Sequence, residues 1–477
     1  MTTRNEASRL RRNLLVAGAA AFAGVYGRPT SNAHAAGHGG SKPHDLVNVH
    51  DFRTDTGADW TAAANAATAV AARVYFPAGE YMLNAANWPS DTEIFGDGDA
   101  TILRVSGDAD YLFTCDSGSS LVEQNVTNLY MHDLQLRGTC DIDGFAEYKH
   151  LVSLNGVSNV RFRHVLFRGF RGDGLYIGSG NRPGIERHNT DVVVENCRFD
   201  GINNANRNAI TIIDCDRLLV TNNVFENTTA PHMPGAVDIE PNKYSFPIVR
   251  NLTVANNQFR RIGGFTGIVA VSVPSTVSMP PTNILVEGNT ATDCTGRGAF
   301  FFFNTHRAVS AESPDNKIVV RQNIMRGGGK PFMLTGKRIV VQGNVFEDLR
   351  HTGRIGSTKD IDTAVDVELV NNTFLRCGSV EGYGVALHTA DHVRFIGNRF
   401  VDCGTGTLPR ASAVVFGKGR SSNVTFDRNE FSSPTGKTLS AIARDAGHTL
   451  QVPTNRFIGN QLNGLSVHFQ ASAGNST

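Results

Sequence analysis

Residues 217–242 read RLLVTNNVFENTTAPHMPGAVDIEPN and combine a repeat that runs through the chain with its densest group of ionisable side chains. The first nine residues align without a gap with NLTVANNQF from Asn251, RIVVQGNVF from Arg338 and HVRFIGNRF from His392. Successive copies begin 21 to 34 residues apart, which is a solenoid period. The alternation of apolar and polar residues within each copy predicts short β-strands.

One asparagine recurs at the same column of the aligned copies. The column holds Asn223, Asn257, Asn289, Asn323, Asn344, Asn372, Asn398, Asn429 and Asn460. Asparagine tolerates the left-handed backbone conformation and its amide can hydrogen-bond its neighbours, so stacked turns predict an internal ladder of Asn side chains. A third strand follows each copy, as in GLYI from Gly174 and GAVDI from Gly235. These features predict an all-β chain, a single right-handed parallel β-helix with three strands per coil.

The Asn column, the opening VNVHDFRTDTGADWTAAANAA from Val47 and the segment VYFPAGEYML from Val74 resemble the pectate-lyase-like β-helix superfamily. The resemblance covers most of the chain from about Val47 onward. It implies a place among polysaccharide lyases, glycoside hydrolases and phage tailspikes. The superfamily's usual paired-Asp motif is replaced by Ala58, Asp59, Trp60 and Thr61, so this stretch implies no function.

The two ends of the chain lie outside the predicted β-helix domain, residues 47–470. Residues 1–35 contain Arg11 and Arg12, a short apolar run to Val25 and a small-x-small site at 33–35, which resembles a twin-arginine export signal. The apolar run is shorter than the roughly 20 residues that span a bilayer. We expect a secreted or periplasmic protein with a linker at 36–46 and a polar tail at 471–477. The alanine-rich stretch 60–72 predicts a short helix that caps the first coil.

Charge and cysteine content limit the classes of binding partner and metal site that we expect. The 45 basic and 44 acidic residues become 40 and 43 without residues 1–35, so we expect no nucleic-acid partner and, lacking a membrane-spanning stretch, no membrane partner. Cys377 and Cys403 each lie three residues after a repeat Phe in neighbouring coils, which predicts a separation of roughly 4.8 Å and either a disulfide or two stacked thiols. The cysteines and histidines are scattered without a Cys-x-x-Cys motif, so we expect no metal site of that kind.

The third strands locate the candidate chemistry. If Val237 and Ile239 point inward, Asp238 and Glu240 point outward, side by side on an exposed strand face. Their spacing allows carboxyl separations of both glycosidase types, about 5 to 5.5 Å for retention and about 6.5 to 9.5 Å for inversion. Two carboxylates this close should push their pKa values apart and leave one acid and one base. The alternative is a solvated acidic pair.

Several other residues are candidates for the same groove. Asp173 precedes an equivalent strand two coils earlier and is either a third catalytic carboxylate or a turn residue, and Tyr176 lies in the outward column of that strand. Nearby loops carry side chains suited to an anionic sugar or to proton abstraction, namely Arg187, His188, His232, Lys243 and Tyr244.

Two patterns have an alternative structural explanation. Phe301 and Phe303 are assigned to the outward columns, where they either stack on sugar faces or form an exposed edge of the core. A second Asp-x-Glu pattern, Asp366 and Glu368, falls in the first strand of its coil and is expected to be structural.

Three functions follow from these residues and from the resemblance, and each takes a polysaccharide or oligosaccharide as partner. The leading one is an exported glycoside hydrolase that needs no cofactor and uses Asp238 and Glu240 as acid and base. The second is a polysaccharide lyase or uronate C5-epimerase, in which the acidic residues hold Ca²⁺ or neutralise a uronate and Lys243, Tyr244, His232 or Arg187 removes the C5 proton. The third is a non-catalytic glycan-binding surface β-helix. All three are compatible with a homo-oligomer.

Overall fold

The computed structural model describes residues 42–180, 186–305, 317–358, 363–406, 411–445, 448–450 and 455–468. The predicted export signal, most of the linker and the polar tail lie outside these residues. Within them, none of the helices is long and apolar enough to cross a membrane.

Each coil contributes three strands, as the repeat predicts. First strands are His44–Asn48, Ala71–Phe76, Thr92–Gly96, Thr190–Glu195, Cys215–Thr221, Val249–Ala255, Thr282–Glu287, Ile318–Arg321, Gly336–Gln342, Ala364–Val370, Ala390–Ile396, Gly419–Asp427, His448–Leu450 and Arg456–Ile458. Second strands are Gly79–Leu83, Thr101–Val105, Arg198–Asp200, Val224–Glu226, Gln258–Arg260, Thr290–Thr292, Ile324–Arg326, Val345–Glu347, Thr373–Leu375, Arg399–Val401 and Glu430–Ser432. Val126–Arg137 and Val157–Arg168 run through both positions.

The third strands form a separate sheet, which we call the third-strand sheet. Its members are Ala86–Asn87, Phe113–Asp116, Val152–Asn155, Leu175–Ile177, Ile210–Ile212, Val237–Ile239, Gly267–Val273, Ala299–Thr305, Lys330–Leu334, Gly353–Ile355, Tyr383–Leu387, Ser412–Phe416, Ser440–Arg444 and Ser466–His468. Over the described residues it has 14 strands, and the first and second strands make up a sheet of 27. The strands pair in parallel, each with the equivalent strand of the next coil.

The Asn ladder is present and buried inside the coils. Asn344 illustrates the pattern: its Nδ2 donates to Val320 O at 2.8 Å and to Asn372 Oδ1 at 2.9 Å. Its own Oδ1 accepts from the backbone N–H and from the Nδ2 of Asn323, both at 2.9 Å. The bonds continue through the column to Asn460. Each amide thus joins its own coil to both neighbours.

The left-handed residue of each turn is not the ladder asparagine, contrary to the sequence prediction. The positive φ angles fall one position earlier, at 57° for Asn222, 57° for Asn256 and 52° for Asn371. The bend therefore belongs to the preceding residue, which lets the ladder side chain point inward and keep its amide for hydrogen bonds.

The core and the cap agree with the sequence prediction. Phe199, Phe225 and Phe259 stack along the axis with ring centroids 4.9 and 4.8 Å apart. An α-helix, Thr61–Val70, packs Ala63, Ala64 and Ala67 against the first coil. The short helical segments are Val49–Phe52, Gly98–Ala100, Val122–Gln124 and Cys140–Asp143. Cys377 and Cys403 are buried free thiols, so the stacked-thiol alternative is the correct one.

We predict that Asn344→Leu destabilises the protein by at least about 1 to 3 kcal/mol, the cost of leaving one buried polar group without a partner. The comparison is Gln342→Leu, which changes an exposed side chain of the same coil and should shift stability by no more than about 0.5 kcal/mol. Thermal melting measures both. Equal melting temperatures for the two variants would contradict a stabilising role of the ladder.

Candidate active site

The outward column of the third-strand sheet contains Tyr176, Thr211, Asp238 and Ala270 in the predicted register. Tyr176 pairs with Thr211, Thr211 with Asp238, and Asp238 with Ala270. The column is not open to solvent, however. Asp238 is only 1% exposed and Asp173 is fully buried, whereas 33% of the Glu240 side chain is exposed. The expectation of an exposed acidic pair is therefore wrong for Asp238 and correct for Glu240.

Arg207, which the sequence reasoning missed, lies at the centre of the cluster. Its Nη1 donates to both carboxylate oxygens of Asp173 at 3.2 and 3.1 Å and to the hydroxyl of Thr211 at 2.8 Å. Its Nη2 donates to Glu240 Oε2 at 2.9 Å and lies 3.8 Å from Asp238 Oδ2. One guanidinium therefore contacts three carboxyl groups, one from the preceding coil and two from the following coil.

Asp173 is held as a carboxylate. Burial alone would raise its pKa, but attraction by Arg207 and His150, with hydrogen bonds from His150 and Thr211, brings the pKa below its ordinary value. The Asn208 backbone N–H donates to Asp173 Oδ1 at 3.1 Å. His150 Nδ1 lies 3.1 Å from Asp173 Oδ2 and 3.0 Å from the backbone nitrogen of Asp173. These bonds make Asp173 a cluster residue rather than a simple turn residue.

Asp238 behaves in the opposite way. Burial raises its pKa well above the ordinary value, repulsion from Glu240 adds to the effect, and Arg207 offsets only part of it. Asn208 Nδ2 donates to Asp238 Oδ2 at 3.3 Å. The protonated form of Asp238 is thus favoured beside the more exposed Glu240.

Asp238 and Glu240 approach the same guanidinium group. Arg207 Nη2 lies 2.9 Å from Glu240 Oε2 and 3.8 Å from Asp238 Oδ2. Both carboxyl groups come from one coil, because Glu240 follows the strand Val237–Ile239 immediately. Asp173, across Arg207, is the separate carboxylate.

An aromatic stack adjoins the acidic cluster on the preceding coils. The rings of His150 and Tyr176 are nearly parallel with centroids 4.6 Å apart, and Tyr111 stacks on the other side of His150 at 6.0 Å. Burial raises the pKa of the Tyr176 phenol, so the hydroxyl remains protonated and can donate a hydrogen bond. Tyr176 is correctly predicted to lie in this column.

Phe301 and Phe303 are not outward residues. Their side chains are 0% and 2% exposed and belong to the main core. The reason is register: Gly267 pairs with Ala299, so Ala270 pairs with Phe302 and the inward residues are Phe301 and Phe303. The run of four phenylalanines gives no period from which an inward and an outward side can be told apart. Phe302 takes the outward position, in a small separate cluster with Ala270 and Ala299.

The candidates Arg187 and His188, at the far end of the third strands, pair with carboxylates outside the acidic cluster. Arg187 is buried and its Nε donates to Asp116 Oδ1 at 2.7 Å. His188 lies between Asp214 at 2.9 Å and Glu186 at 2.6 Å, and these carboxylates raise its pKa to about 9 against the opposing effect of burial. These residues fix a loop through ion pairs.

The three remaining loop candidates are more accessible. His232 is exposed and its ring contacts Phe145 at 5.2 Å edge to face. Lys243 is exposed, and Tyr244 stacks on Phe246 at 5.3 Å. None of the hydrogen bonds or ion pairs described for these side chains joins them to Arg207 or to its three carboxyl partners.

A simple alignment would have found the missed residues. The position three residues before Tyr176 is Asp173, and the same position on the coils on either side holds His150 and Asn208. Arg207 precedes Asn208 directly. A buried acid such as Asp173 requires a cation nearby, so the basic residue on the adjacent coil, Arg207, could have been predicted as its partner.

A calcium ion does not fit this cluster as it is built. The carboxylate oxygens that would ligate it are those bound to Arg207, and a cation in the same place would meet the guanidinium. Among the described residues, no group of three or more His, Cys, Asp and Glu has a metal-holding arrangement.

The second Asp-x-Glu pair lies elsewhere. Asp366 and Glu368 line a cleft of about 400 Å³ on the outer face of the first strands, together with His392, Arg394, Asn423, Thr425 and Arg456. Glu368 forms an ion pair with Arg394 on the next coil. Because its exposed carboxylate is paired across the strands, the structural interpretation of this pair is retained.

We predict that Arg207→Met destabilises the protein by about 3 to 5 kcal/mol at neutral pH, since the carboxylates of Asp173 and Glu240 lose their buried counter-ion. Arg163→Met, at an exposed arginine without an ion pair among the described residues, should have little effect.

The pH dependence distinguishes this explanation from simple loss of packing. The depressed pKa of Asp173 stabilises the wild-type fold above its unfolded pKa of about 3.9, and this contribution is lost as the pH falls through the folded pKa. The melting-temperature difference between wild type and Arg207→Met should therefore stay nearly constant from pH 7 to about pH 4 and narrow below about pH 4. A difference that stays constant below about pH 4 as well would contradict the electrostatic explanation.

Comparisons with known proteins agree with this architecture. A family model described as "Right handed beta helix region" matches residues 150–346 and 308–477. A second, "Rhamnogalacturonase A/epimerase, pectate lyase-like", matches residues 46–234. No curated protein matches the sequence.

Similar solved structures share the fold at low sequence identity. The A-module of a mannuronan C-5 epimerase from Azotobacter vinelandii is 15% identical, with a TM-score of 0.51 over 87% of this chain and 98% of that one. An N-terminal fragment of gene product 12 of bacteriophage phi29 is 15% identical, with a TM-score of 0.56 over 87% and 71%. The surface protein and adhesin PfbA of Streptococcus pneumoniae is 13% identical, with a TM-score of 0.50 over 87% and 100%.

The first family model matches residues 150–346 and 308–477, and strands of both parallel sheets run through these residues. The protein belongs to the right-handed parallel β-helix family.

Proposed function

We propose that this protein is a polysaccharide-degrading enzyme, a glycoside hydrolase whose acid is the carboxyl pair Asp238 and Glu240. The observation that carries the proposal is the placement of the buried Asp238 carboxyl group, whose pKa burial raises, beside the one-third exposed Glu240 at a single guanidinium. A glycosidic oxygen needs a proton donor at neutral pH, and a carboxyl group with a raised pKa is the usual one.

The proposed proton path depends on the difference in solvent exposure between Asp238 and Glu240. Glu240 is the carboxyl group that a bound sugar can reach, and Asp238 lies behind it as the proton reserve. The Asp238 proton passes to Glu240 and from Glu240 to the leaving oxygen, so that one proton leaves the pair in all. Water then adds to the anomeric carbon, and the proton that it releases returns to the pair. Arg207 stabilises the negative charge that remains on the pair, and Asp173 holds Arg207 in place.

Elimination or C5 epimerisation of a uronate is the second candidate, favoured by the stacked Tyr176 and His150 beside Arg207. Such chemistry needs a cation that neutralises the sugar carboxylate and a donor or acceptor at the ring proton. One structural neighbour is a mannuronan C-5 epimerase. This candidate uses Arg207 in place of Ca²⁺, because the cluster does not suit the metal.

A product assay separates these candidates. The protein would be incubated with a panel of neutral and acidic polysaccharides, and both new reducing ends and ultraviolet-absorbing unsaturated ends would be measured. Reducing ends without unsaturation support hydrolysis, unsaturated ends support a lyase, and a changed uronate composition without cleavage supports an epimerase. Binding without any chemical change supports the glycan-binding alternative and contradicts the proposed enzyme.

We further propose export by the twin-arginine route, on the basis of Arg11, Arg12 and the apolar run that follows them. The double variant Arg11→Lys and Arg12→Lys should remain in the cytoplasm of a bacterial host, measured by cell fractionation. Unchanged export of the variant would contradict the proposed route.

We predict that Asp238→Asn and Glu240→Gln each lower activity by about 10² to 10⁴, the usual value of acid or base assistance. Asp366→Asn and Glu368→Gln provide a matched control, because they change the same Asp-x-Glu pattern at a cleft outside the cluster. The control variants should keep wild-type activity. A loss of less than tenfold in both site variants would refute the assignment.

Two further measurements define the role of the pair. Since the pKa of Asp238 is raised, wild-type activity should persist above the ordinary carboxyl pKa of about 4 and fall on the alkaline side. Activity of the site variants should not recover when calcium is added, whereas recovery would indicate a metal-binding role.

A further inference from the structure

A second ionic cluster lies on the third-strand sheet, and it is basic. Lys330 occupies the same alignment column as Asp173 and Asn208, and Arg354 lies in the outward column that contains Asp238. Lys330 Nζ donates to the backbone carbonyl of Arg297 at 2.8 Å, which brings Arg297 to the same edge. We call Arg297, Lys330 and Arg354 the cation cluster.

The cation cluster has too little negative charge around it. Glu381, the carboxylate that raises the pKa of Lys330, is itself engaged by His351 Nδ1 at 2.9 Å and by the Thr352 N–H at 3.0 Å. Arg297 and Arg354 form no ion pair with the residues that the structure describes. This contrasts with Arg326 and Arg376 on nearby coils, which pair with Glu347.

The electrostatic consequence is visible at Lys330. Burial and the positive charges of Arg354 and Arg297 lower its pKa to about 8, against the weaker opposing effect of Glu381. Three cations held together without matching carboxylates are an unfavourable arrangement unless an external anion compensates them. The chain as a whole has a formal net charge of only +1, so this positive charge is local.

The distance from the acidic cluster fits a chain-like ligand. From Asp238 the outward column continues through Ala270, Phe302 and Met333 to Arg354. Four strand spacings separate Asp238 from Arg354, which is about 19 Å. An oligosaccharide parallel to the axis of the β-helix would span this distance over the buried side chains of Ala270 and Phe302 to reach both clusters.

We propose that the cation cluster is a subsite for an acidic group, a carboxylate or a sulfate ester, on a polysaccharide that extends from Glu240 along the third-strand sheet. The proposal rests on the polysaccharide substrate inferred above and adds that the substrate is anionic. Guanidinium and ammonium groups are the side chains that bind carboxylate and sulfate oxygens most strongly.

Binding titrations with matched polymers test the subsite independently of catalysis. Polygalacturonate would be compared with its methyl-esterified form, and dextran sulfate with dextran, so that each pair differs in acidic groups alone. The protein variants are the double variant Lys330→Met and Arg354→Gln, the single variant Arg354→Gln, and Arg163→Gln as an exposed-arginine control on another face.

The wild type should prefer the acidic member of at least one pair. The double variant should bind that acidic polymer at least about tenfold more weakly, and Arg163→Gln should bind it normally. A loss confined to polygalacturonate identifies a carboxylate ligand, and a loss confined to dextran sulfate identifies a sulfate. If the double variant fails to fold, Arg354→Gln alone should still weaken binding measurably.

The pH dependence gives a further check on Lys330. Wild-type affinity for the acidic polymer should decrease from pH 7 to pH 9, as Lys330 loses its proton while Arg297 and Arg354 stay charged. This decrease in affinity should be absent from the double variant. That variant lacks Lys330 but keeps the ion pair of Glu381 and His351, which serves as the internal control. A decrease of equal size in both proteins would overturn the role of Lys330.

The outcomes separate the subsite from the proposed enzyme. Acidic polymers that bind through the cation cluster without being altered would refute the proposed enzyme and leave the subsite standing. Equal binding of acidic and neutral polymers, or wild-type affinity in the double variant, would refute the subsite even if neutral polysaccharides were cleaved.

Discussion

The hydrogen bonds of the buried Asn ladder are the constraint on which the rest of the structure depends. Each ladder amide bonds both to its neighbour in the ladder and to a backbone carbonyl of an adjacent coil, for instance Asn257 to Asn289 and to Val220. A shift of one coil against the next would break several bonds to buried polar groups at once. The coils are therefore held in register, and equivalent residues form straight columns along the axis.

Fixed columns explain how residues far apart in sequence meet at one site. Asp173, Arg207 and Asp238 are separated by about thirty residues each along the chain, yet they lie on successive coils of one sheet. The cost of burying three carboxyl groups is met in three ways. Arg207 neutralises part of the charge, the raised pKa of Asp238 favours its protonated form, and Glu240 keeps contact with solvent. The pKa differences that make the site suitable for acid–base chemistry follow from that distribution.

The sequence predicted the periodic part of this protein and not its exceptions. The repeat, the three strands per coil and the outward positions of Tyr176 and Asp238 follow from a period of two that the sequence displays directly. The register of Phe301 and Phe303 could not be predicted because four identical residues contain no alternation. Burial of Asp238 was also missed, since it depends on residues outside the strand, above all on Arg207.

Short sequence patterns do not determine the charge environment of an acidic residue. An Asp-x-Glu pattern occurs twice, once at Asp238 and once at Asp366, and the residue types alone do not distinguish a buried acid from a surface ion pair. What separates them is the column in which each lies and the cations that the neighbouring coils place beside it. At Glu368 the next coil supplies Arg394, which pairs with it at the surface.

The inward residues hold the coils together, and the outward residues are therefore free to vary. Ladder and stacked phenylalanines hold the coils through inward residues, so the outward residues of the third-strand sheet can change from coil to coil without disturbing the register. That freedom allows an acidic cluster around Arg207 and a basic one around Lys330 on the same face of a nearly neutral chain. Opposite charges at fixed distances along one axis are what a linear ligand with spaced groups can recognise, and a parallel β-helix provides such spacing through its strand repeat alone.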